Sequence, residues 1–259
     1  DEIYFDEDNQ PVIEVSFINE KPTGHLILHK EFEREEDTAV GGAQFKVTAD
    51  SDIIDPATGK MIYKKGDPVN MGNVIDGIYK IDKNGKLELN NLLLGTSGAR
   101  YKVEEVKTLD GYVLLDEPVI FEFDIKDNTT KEYTVEDTVK NRLTETYFSK
   151  QDLHEKELKG GEYSVIDAKS GEIIDQWTSD GRGHLVKGLV IGKDYIYRED
   201  LTPLGYTYAK DVKFTKSKNK QTIVMKDTQV DVNKLDVDGN AVQGATLQIV
   251  SDKTKNIVD

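Results

Sequence analysis

The feature that most constrains this chain is a short alternation of apolar residues that ends in a polar residue on the apolar side. Leu26 and Leu28 lead to Lys30 in this way, with the period of two that places side chains on one face of a β-strand. A lysine, a glutamate or an amide that faces a core is costly unless it pairs or reacts. The same pattern leads to five further candidate site residues: Glu105, Asn141, Lys150, Glu199 and Asp227.

Alternating segments recur along the whole chain, whereas helical periodicity is weak. Short, regularly spaced strands joined by tight turns favour β-sandwiches, so the sequence predicts an all-β fold. The clearest predicted strands span residues 25–32, 86–92, 119–125 and 132–139. Four predicted turns contain a glycine that supplies the positive φ of a tight connection, namely Gly85, Gly181, Gly205 and Gly239.

An internal repeat explains why the polar residues recur. A glycine-led segment follows Lys30 by 12 residues, and similar segments follow Lys150 and Lys234 by 10 residues. Downstream, Glu105 and Glu199 are each followed six residues later by a Gly-Tyr pair. The sequence therefore predicts two whole copies of one unit and the beginning of a third.

The repeat also explains the two ends of the sequence. The alternation before Asn19 resembles the last strand of a copy, and the alternation before Lys234 resembles a first strand, so these two residues are further candidates. Neither end carries a targeting signal or an anchor, and we expect the chain to be a segment of a longer protein. Four parts are predicted: the end of a preceding copy at residues 1–22, one whole copy at 23–142 with an insertion at about 51–81, a second at 143–228, and the start of another at 229–259.

The composition narrows the classes of partner. The formal charge of −15 repels phosphate backbones, so nucleic acid is not an expected partner. No apolar run approaches the length of about 20 residues that a membrane-spanning helix needs. The chain has no cysteine, which excludes disulfides and thiolate chemistry, and its four histidines lack a metal-binding spacing. We expect neither a metal nor a cofactor.

The polar residues of the first copy suggest a reaction within the chain. Burial lowers the pKa of a lysine and raises that of a glutamate, so that neighbours in a dry site become a neutral amine and a neutral acid. The amine of Lys30 can then attack the side-chain carbonyl of Asn141, while protonated Glu105 hydrogen-bonds the carbonyl oxygen and passes a proton to the departing ammonia. The product is an amide bridge between two side chains.

In the second copy the electrophile is a carboxyl group. Lys150 would attack Asp227 with Glu199 as the acid, and water would leave instead of ammonia. The alternative for either copy is a buried ion pair that does not react. For one such triplet alone, solvated residues at strand ends would be the ordinary interpretation. Recurrence of all three members, in the same order, favours the reactive interpretation.

Several motifs together resemble a known family. They are Lys30 with Gly-Ala-Gln-Phe at 42–45, Asp-Lys-Asn-Gly-Lys at 82–86, Leu-Leu-Leu-Gly at 92–95, Tyr-Lys-Val-Glu-Glu at 101–105 with Gly-Tyr at 111–112, and Val-Lys-Asn at 139–141. The chain resembles the B-type repeat domains of Gram-positive collagen adhesins and the related prealbumin-like domains of sortase-assembled pilins, often called Cna-B or SpaA-type domains. The resemblance implies tandem inverse immunoglobulin-like β-sandwiches.

The resemblance also implies roles for the site residues. A lysine of the first strand is expected to bond to an asparagine or aspartate of the last strand, with a glutamate of a central strand as catalyst. This assigns Lys30, Glu105 and Asn141 in the first copy and Lys150, Glu199 and Asp227 in the second. The second copy departs from the family in two places, because Asp227 replaces the commoner asparagine and Gly161 stands where alanine is usual.

Three hypotheses for function follow. The first is a structural stalk of a cell-wall-anchored, extracellular adhesin or pilin-like protein, whose partners are the neighbouring repeats and whose only catalysis is a single-turnover isopeptide bond. The second is a module that binds host extracellular matrix, such as collagen, or glycan through the insertion at 51–81. The third, a turnover enzyme, needs an open cleft with paired carboxylates, and the sequence offers only the triplets.

Overall fold

The computed structural model describes residues 20–228 apart from 97 and 128, together with 3–5, 11–13, 233–248 and 250. The chain forms two compact units, one of residues 1–108 and 114–140 and the other of residues 109–113 and 141–259. Near the amino end, strand β1 (Ile3–Phe5) pairs antiparallel with β2 (Pro11–Ile13). No helix in the described ranges is long and apolar enough to cross a membrane.

The first unit is built on a three-stranded sheet of order β11-β3-β8 and a four-stranded sheet of order β10-β9-β4-β7. A small hairpin, β5-β6, and a 3-10 helix at Glu35–Val40 complete it. The strands are β3 (Thr23–Phe32), β4 (Gln44–Ala49), β5 (Ile53–Ile54), β6 (Met61–Tyr63), β7 (Ile78–Lys80), β8 (Lys86–Leu93), β9 (Gly98–Lys107), β10 (Val119–Asp124) and β11 (Glu132–Asn141).

The second unit repeats this topology with sheets of order β15-β12-β18 and β14-β13-β16-β17. Side chains from both sheets, including Phe148, Tyr163 and Met225, form one buried core. The strands are β12 (Glu145–Gln151), β13 (Lys159–Asp167), β14 (Ile173–Asp180), β15 (His184–Lys187), β16 (Asp194–Leu201), β17 (Val212–Thr215) and β18 (Lys220–Lys226). The prediction of an all-β chain is confirmed.

The predicted alternation is present in the strands that carry the candidate residues. Every second residue of β3 from Gly24 to Phe32 is buried, so Lys30 lies in the buried row. The buried rows of β9 and β16 end at Glu105 and Glu199. The four predicted turn glycines have the positive φ that tight turns need, from 71° at Gly85 to 90° at Gly181.

The predicted insertion at 51–81 contains two different kinds of structure. Its first part forms the β5-β6 hairpin, and the buried Ile53 and Val69 anchor the segment to the unit. Its last part, β7, pairs antiparallel with β4 in the same place that β14 occupies beside β13 in the second unit. The segment that the first unit has in addition therefore ends before β7.

The strand pairing that matters most for the site joins the first and last strands of the second unit. β12 and β18 are parallel neighbours, with Lys150 opposite Met225 and Gln151 opposite Lys226. This register places the residue that follows β18, Asp227, beside the end of β12. In the first unit the corresponding strands, β3 and β11, are also neighbours in one sheet.

Candidate functional site

The structure brings the three predicted residues of the second unit into direct contact. The ammonium of Lys150 donates a hydrogen bond to Oδ1 of Asp227 and lies 3.0 Å from Oε1 of Glu199. All three residues are buried, with exposures of 2% for Lys150, 1% for Asp227 and 6% for Glu199. Glu199 belongs to the sheet that faces β12 and β18, so the site lies between the two sheets.

The surroundings of Glu199 favour its neutral form. Burial raises the pKa of this carboxyl group, and the nearby charge of Asp227 raises it further. Hydrogen bonds from the backbone N–H of Ala209 (2.7 Å) and from Lys150 oppose this rise without cancelling it. A carboxyl group with a raised pKa can carry the proton that a general acid needs.

A second glutamate fixes the backbone around Lys150. The carboxylate of Glu157 accepts a hydrogen bond from the backbone N–H of Lys150 at 3.1 Å and another from the hydroxyl of Ser149. Both bonds hold the last residues of β12 against the turn that follows it. The position of the Lys150 side chain is therefore set by its own strand as well as by its partners in the site.

The corresponding residues of the first copy are also buried, and Asn141, the last residue of β11, directly follows the last residue of the first unit. Lys30 and Asn141 are each 1% exposed and Glu105 is 6% exposed. Lys30 lies on β3, Asn141 ends the neighbouring strand β11, and Glu105 lies on β9 in the other sheet. The ammonium of Lys30 donates to the carbonyl oxygen of Glu31 at 2.6 Å and lies 3.9 Å from the centre of the Phe32 ring.

The electrostatics of the first site favour an uncharged lysine. Burial lowers the pKa of Lys30 from 10.5 to about 8, although the negative charges of Glu105 and Glu31 act in the opposite direction. Lys30 and Glu105 are both buried on strands of the two facing sheets, and the charge of Glu105 acts on Lys30. An amine with this pKa is unprotonated in an appreciable fraction of molecules near neutral pH.

Each of the two glutamates, Glu105 and Glu199, accepts an equivalent hydrogen bond from the backbone. The N–H of Leu115 donates to Oε2 of Glu105 at 2.9 Å, and the N–H of Ala209 donates to Oε2 of Glu199. Each donor lies 10 residues after its glutamate, in the loop that contains the repeated Gly-Tyr pair. The loop therefore leaves the other carboxyl oxygen, Oε1, to face the lysine in the second unit.

Burial alone does not make a lysine a reaction site. Lys216 is 0% exposed, and burial lowers its pKa to about 8, as it does for Lys30. Its ammonium donates to the carbonyl oxygen of Glu145 (2.6 Å), the hydroxyl of Thr146 (2.8 Å) and the carbonyl oxygen of Asn219 (3.3 Å). These acceptors include no carboxyl or carboxamide group, so Lys216 joins the start of β12 to the turn before β18.

Two residues that border the second site were not predicted from the sequence. Tyr163 lies directly opposite Glu199 in the β13-β16 pair, and Tyr197 precedes Glu199 on the same buried row. A comparison of the two copies could have found them, because Phe45 and Val103 occupy the matching positions of the first unit. The first site is therefore lined there by apolar groups and the second by tyrosines.

The candidate residues at the two ends have different outcomes. Asn19 lies outside the described residues. Lys234 is exposed, and the turn after it repeats the turn after Lys150 in detail. Asp236 accepts backbone hydrogen bonds from Asp238 and Asn240 as Asp152 does from His154 and Lys156. Lys234 accepts a backbone bond from Val242 as Lys150 does from Leu158.

The arrangement in the second unit can support amide formation. The amine of Lys150 contacts a carboxyl oxygen of Asp227. The same amine also lies close to the carboxyl group of Glu199, whose pKa is raised. Fixing two reactants in contact can lower a barrier by about 7–11 kcal/mol. In the described part of the chain, no three histidine, aspartate or glutamate side chains form a group that could hold a metal ion.

A family model agrees with the fold and the repeat. The model of the SpaA prealbumin-like fold domain matches residues 24–139 and again residues 144–229. The two matches together cover more than half of the chain. None of the curated proteins matches the chain.

Several solved structures are similar to the chain at low identity. The Bacillus anthracis TIE protein is 21% identical, with a TM-score of 0.47 over 85% of this chain and 41% of that one. A streptococcal ancillary pilin is 23% identical, with a TM-score of 0.32 over 80% of this chain and 62% of that one. The C-terminal fragment of the pilus adhesin SpaC from Lactobacillus rhamnosus GG is 13% identical, with a TM-score of 0.40 over 80% and 98%. The chain spans less than two thirds of the first two proteins.

Proposed function

Because the chain belongs to the family of SpaA prealbumin-like fold domains, with two such domains in tandem, we propose that it is a run of stalk repeats from a Gram-positive surface adhesin or pilin-like protein. In this proposal each domain is closed by an intramolecular isopeptide bond, between Lys30 and Asn141 in the first and between Lys150 and Asp227 in the second. The single observation that carries it is the buried contact of Lys150 with both Asp227 and Glu199.

In the second domain the reaction joins an amine and a carboxylic acid. The nitrogen of Lys150 bonds to the side-chain carbonyl carbon of Asp227, the bond from that carbon to its hydroxyl breaks, and water leaves. Glu199 holds the proton that the departing hydroxyl takes up and receives the one that the amine loses. The raised pKa of Glu199 supports this role.

In the first domain the leaving group is ammonia. Lys30 attacks the carboxamide carbon of Asn141, and Glu105 moves the proton from the attacking nitrogen to the departing one. The lowered pKa of Lys30 supports this assignment, because only the unprotonated amine is a nucleophile. Each glutamate acts once, on its own chain, so neither domain is a turnover enzyme.

The strand order gives the bond a mechanical role. In the second domain, β12 enters the sandwich and its parallel neighbour β18 leaves it. A bond from Lys150 to Asp227 carries tension from one end of the domain to the other. Lys150 and Asp227 are 77 positions apart in the sequence. The residues between them then bear none of the tension. A stalk on the cell surface needs this kind of resistance to extension.

We also infer further repeats, and the turn after Lys234 supports one of them. The turn after Lys234 matches the turn after Lys150 in its backbone hydrogen bonds, including the bridge of Leu235 to Ala241 that corresponds to the bridge of Gln151 to Glu157. This supports Lys234 as the cross-linking lysine of another copy. Asn19 is the proposed cross-linking asparagine of a preceding copy. In this proposal, residues 1–22 belong to the preceding copy and residues 229–259 to the following one.

Mass spectrometry of the intact chain tests the proposal. The protein is expected to be lighter than its sequence by one ammonia and one water, and digestion is expected to yield two branched peptides. Glu105→Ala should restore the mass of the ammonia and Glu199→Ala that of the water. Glu104→Ala, a matched change on the exposed face of β9, should restore neither. A chain with its full sequence mass would refute both bonds.

A second candidate function, binding of matrix or glycan, rests on the exposed apolar residues of the segment at 51–81. Ile75 is 76% exposed and Met61 is 44% exposed, and exposed apolar side chains in one segment can form a contact surface. Binding of the chain to immobilised collagen and to a glycan array tests this role. Ile75→Ser should abolish such binding, and a chain that binds neither would exclude the role.

A further inference from the structure

The two cross-linking sites differ at a position directly opposite the catalytic glutamate. In the first domain Phe45 of β4 pairs with Glu105 of β9. In the second domain Tyr163 of β13 pairs with Glu199 of β16. Both aromatic side chains are 0% exposed, so at this position the second domain differs by one buried hydroxyl group.

The backbone next to Tyr163 makes room for this hydroxyl. Gly161 lies two residues earlier on β13, and a Cβ atom at that position would overlap the Tyr163 hydroxyl and the ring carbons Cζ and Cε2 next to it. The first domain has Ala43 at the matching position, where the ring of Phe45 has no hydroxyl to accommodate. The glycine that departs from the family pattern is therefore the partner of the tyrosine.

The hydroxyl is a hydrogen-bonding group next to the reacting atoms. Among the described residues, the Tyr163 hydroxyl and Oδ2 of Asp227 are buried without a well-formed hydrogen bond. The side chains of Glu199 and Ser179 nevertheless lie close enough to the hydroxyl to act on its pKa. The ammonium of Lys150 lies 5.5 Å from the centre of the Tyr163 ring. Burial and the charge of Glu199 raise the pKa of Tyr163, so the hydroxyl keeps its proton and can donate it. Buried polar atoms without partners are rare and usually have a role.

The chemistry of the second site explains why such a donor is useful. Its electrophile, Asp227, is ionisable, whereas Asn141 of the first site is neutral. The second site therefore holds two carboxyl groups and one amine, and it carries a net negative charge unless one carboxyl is protonated. An additional donor compensates this charge in a place that water does not reach.

We propose that Tyr163 is a positioning residue of the Lys150 to Asp227 reaction, whose hydroxyl donates a hydrogen bond to the carboxyl pair of Asp227 and Glu199. This inference rests on the proposed isopeptide function and adds a residue that the aspartate reaction needs and the asparagine reaction does not. The atoms balance as in the proposed reaction: one C–N bond forms, one C–O bond breaks, one water leaves, and the tyrosine keeps its proton at the end.

Tyr163→Phe in the full chain tests the role of the hydroxyl. The loss of water from the second domain is followed by mass spectrometry from purification onward, at a series of pH values. We expect a bond that forms about 100-fold more slowly than in the unaltered chain, as for the loss of one preorganised donor. The rate should rise as the pH falls and protonates Glu199, whose pKa is raised by burial. The ammonia loss of the first domain serves as an internal control.

Tyr195→Phe is the matched control variant. Tyr195 lies on the same strand as Glu199, is 3% exposed and uses its hydroxyl to accept a bond from the N–H of Val190 at 2.9 Å. Its loss should lower stability without slowing the bond. If Tyr163→Phe also shows a complete water loss at the first time point, the hydroxyl has no role in the reaction and the inference is wrong.

A double variant separates this role from a failure to fold. Tyr163→Phe combined with Asp227→Asn has a neutral electrophile, and we expect it to lose ammonia from the second domain as readily as Asp227→Asn alone. If the double variant forms the bond much more slowly than Asp227→Asn alone, Tyr163 acts on both electrophiles and the inference is wrong. If the unaltered chain shows no water loss at all, the proposed function of the second domain fails instead.

Discussion

The two domains share one topology, and each buries charged groups in its core, but the side chains that surround these groups differ. Each buries a lysine and a glutamate between a three-stranded and a four-stranded sheet. The first domain adds a neutral amide, Asn141, and surrounds the site with apolar groups at the positions of Phe45 and Val103. The second adds an acid, Asp227, and has tyrosines at both of those positions.

If the proposed reactions take place, the difference indicates that the polarity of the wall follows the charge of the electrophile. A lysine and a glutamate can exchange a proton and become neutral together, so an apolar wall suits the first site. One more carboxyl group leaves an unbalanced charge or an extra proton in the second site, and nearby hydroxyl groups stabilise either. The fold is constant, and the chemistry depends on three or four side chains.

The largest expected effect is the loss of either bond, and it should be similar in the two domains. Asn141→Ala and Asp227→Ala each remove an electrophile. A cross-link that closes a loop of about 100 residues stabilises a domain by about 4–5 kcal/mol in the chain-entropy model. We expect the free energy of unfolding of the affected domain to fall by about this amount, measured by denaturant titration.

Isosteric variants separate the bond from the packing of the altered side chain. Glu105→Gln and Glu199→Gln keep the volume of the side chain but remove the acid. Each should destabilise its own domain about as much as Asn141→Ala or Asp227→Ala does. A loss below about 1 kcal/mol in a variant whose mass shows no cross-link would contradict a stabilising role of the bond.

A smaller effect is expected from pH, and it applies to the first domain when its bond is absent. In Asn141→Ala, Lys30 stays an amine whose pKa is about 8 in the folded state and near 10.5 in the unfolded state. The unfolded state then binds more protons between these values, so the free energy of unfolding should rise by about 2–3 kcal/mol from pH 8 to pH 10.5.

Two controls define the origin of that pH dependence. In the unaltered chain the proposed bond makes Lys30 part of an amide that does not titrate, so this rise should be missing. Lys30→Met in the Asn141→Ala background removes the amine and should remove the rise as well. If the rise persists without Lys30, another group causes it, and the first site does not hold its lysine in the neutral form.

The strands and the polar ends of their buried rows could be predicted from the sequence, because alternation has a direct physical cause. The predicted segment at 86–92 corresponds to β8 at Lys86–Leu93, and the buried row of β3 includes Lys30 as expected. Sequence repetition also paired each lysine with its glutamate. Period-two patterns and repeats are local properties, and they need no knowledge of long-range contacts.

The walls of the sites were not predicted, because they depend on which residues meet across strands. That Tyr163 faces Glu199 follows from the register of β13 and β16, which contains an irregularity next to this pair. Gly161 departs from the family pattern, and the physical reason, the closeness of the Tyr163 side chain, is visible only in the folded strand. Strand β7, at the end of the segment 51–81, was not predicted either, because an edge strand of three residues is too short to show a clear alternation.

A still smaller effect is expected from the glycine that distinguishes the second domain. Gly161→Ala places a Cβ where the Tyr163 hydroxyl lies, and overpacking of this kind usually costs about 1–3 kcal/mol. The addition of Tyr163→Phe should recover part of the loss, because it removes the closest overlapping atom, the hydroxyl oxygen, but leaves the ring carbons Cζ and Cε2 close to the new Cβ. Thermal unfolding of the two single variants and the double variant measures the coupling. Additive losses would show that the two positions are independent.

The smallest effect on stability, and the sharpest on chemistry, is expected when the electrophile of the second domain is made like that of the first. Asp227→Asn keeps the shape of the side chain and removes one ionisable group from the buried site. Lys150 should still form its bond, so the stability should change by less than about 1 kcal/mol. The mass of the chain, however, should now show the loss of two ammonia molecules instead of one ammonia and one water. A second domain that stays open in this variant would mean that the tyrosine-lined site accepts only an acid, and the two domains would then differ in mechanism and not merely in leaving group.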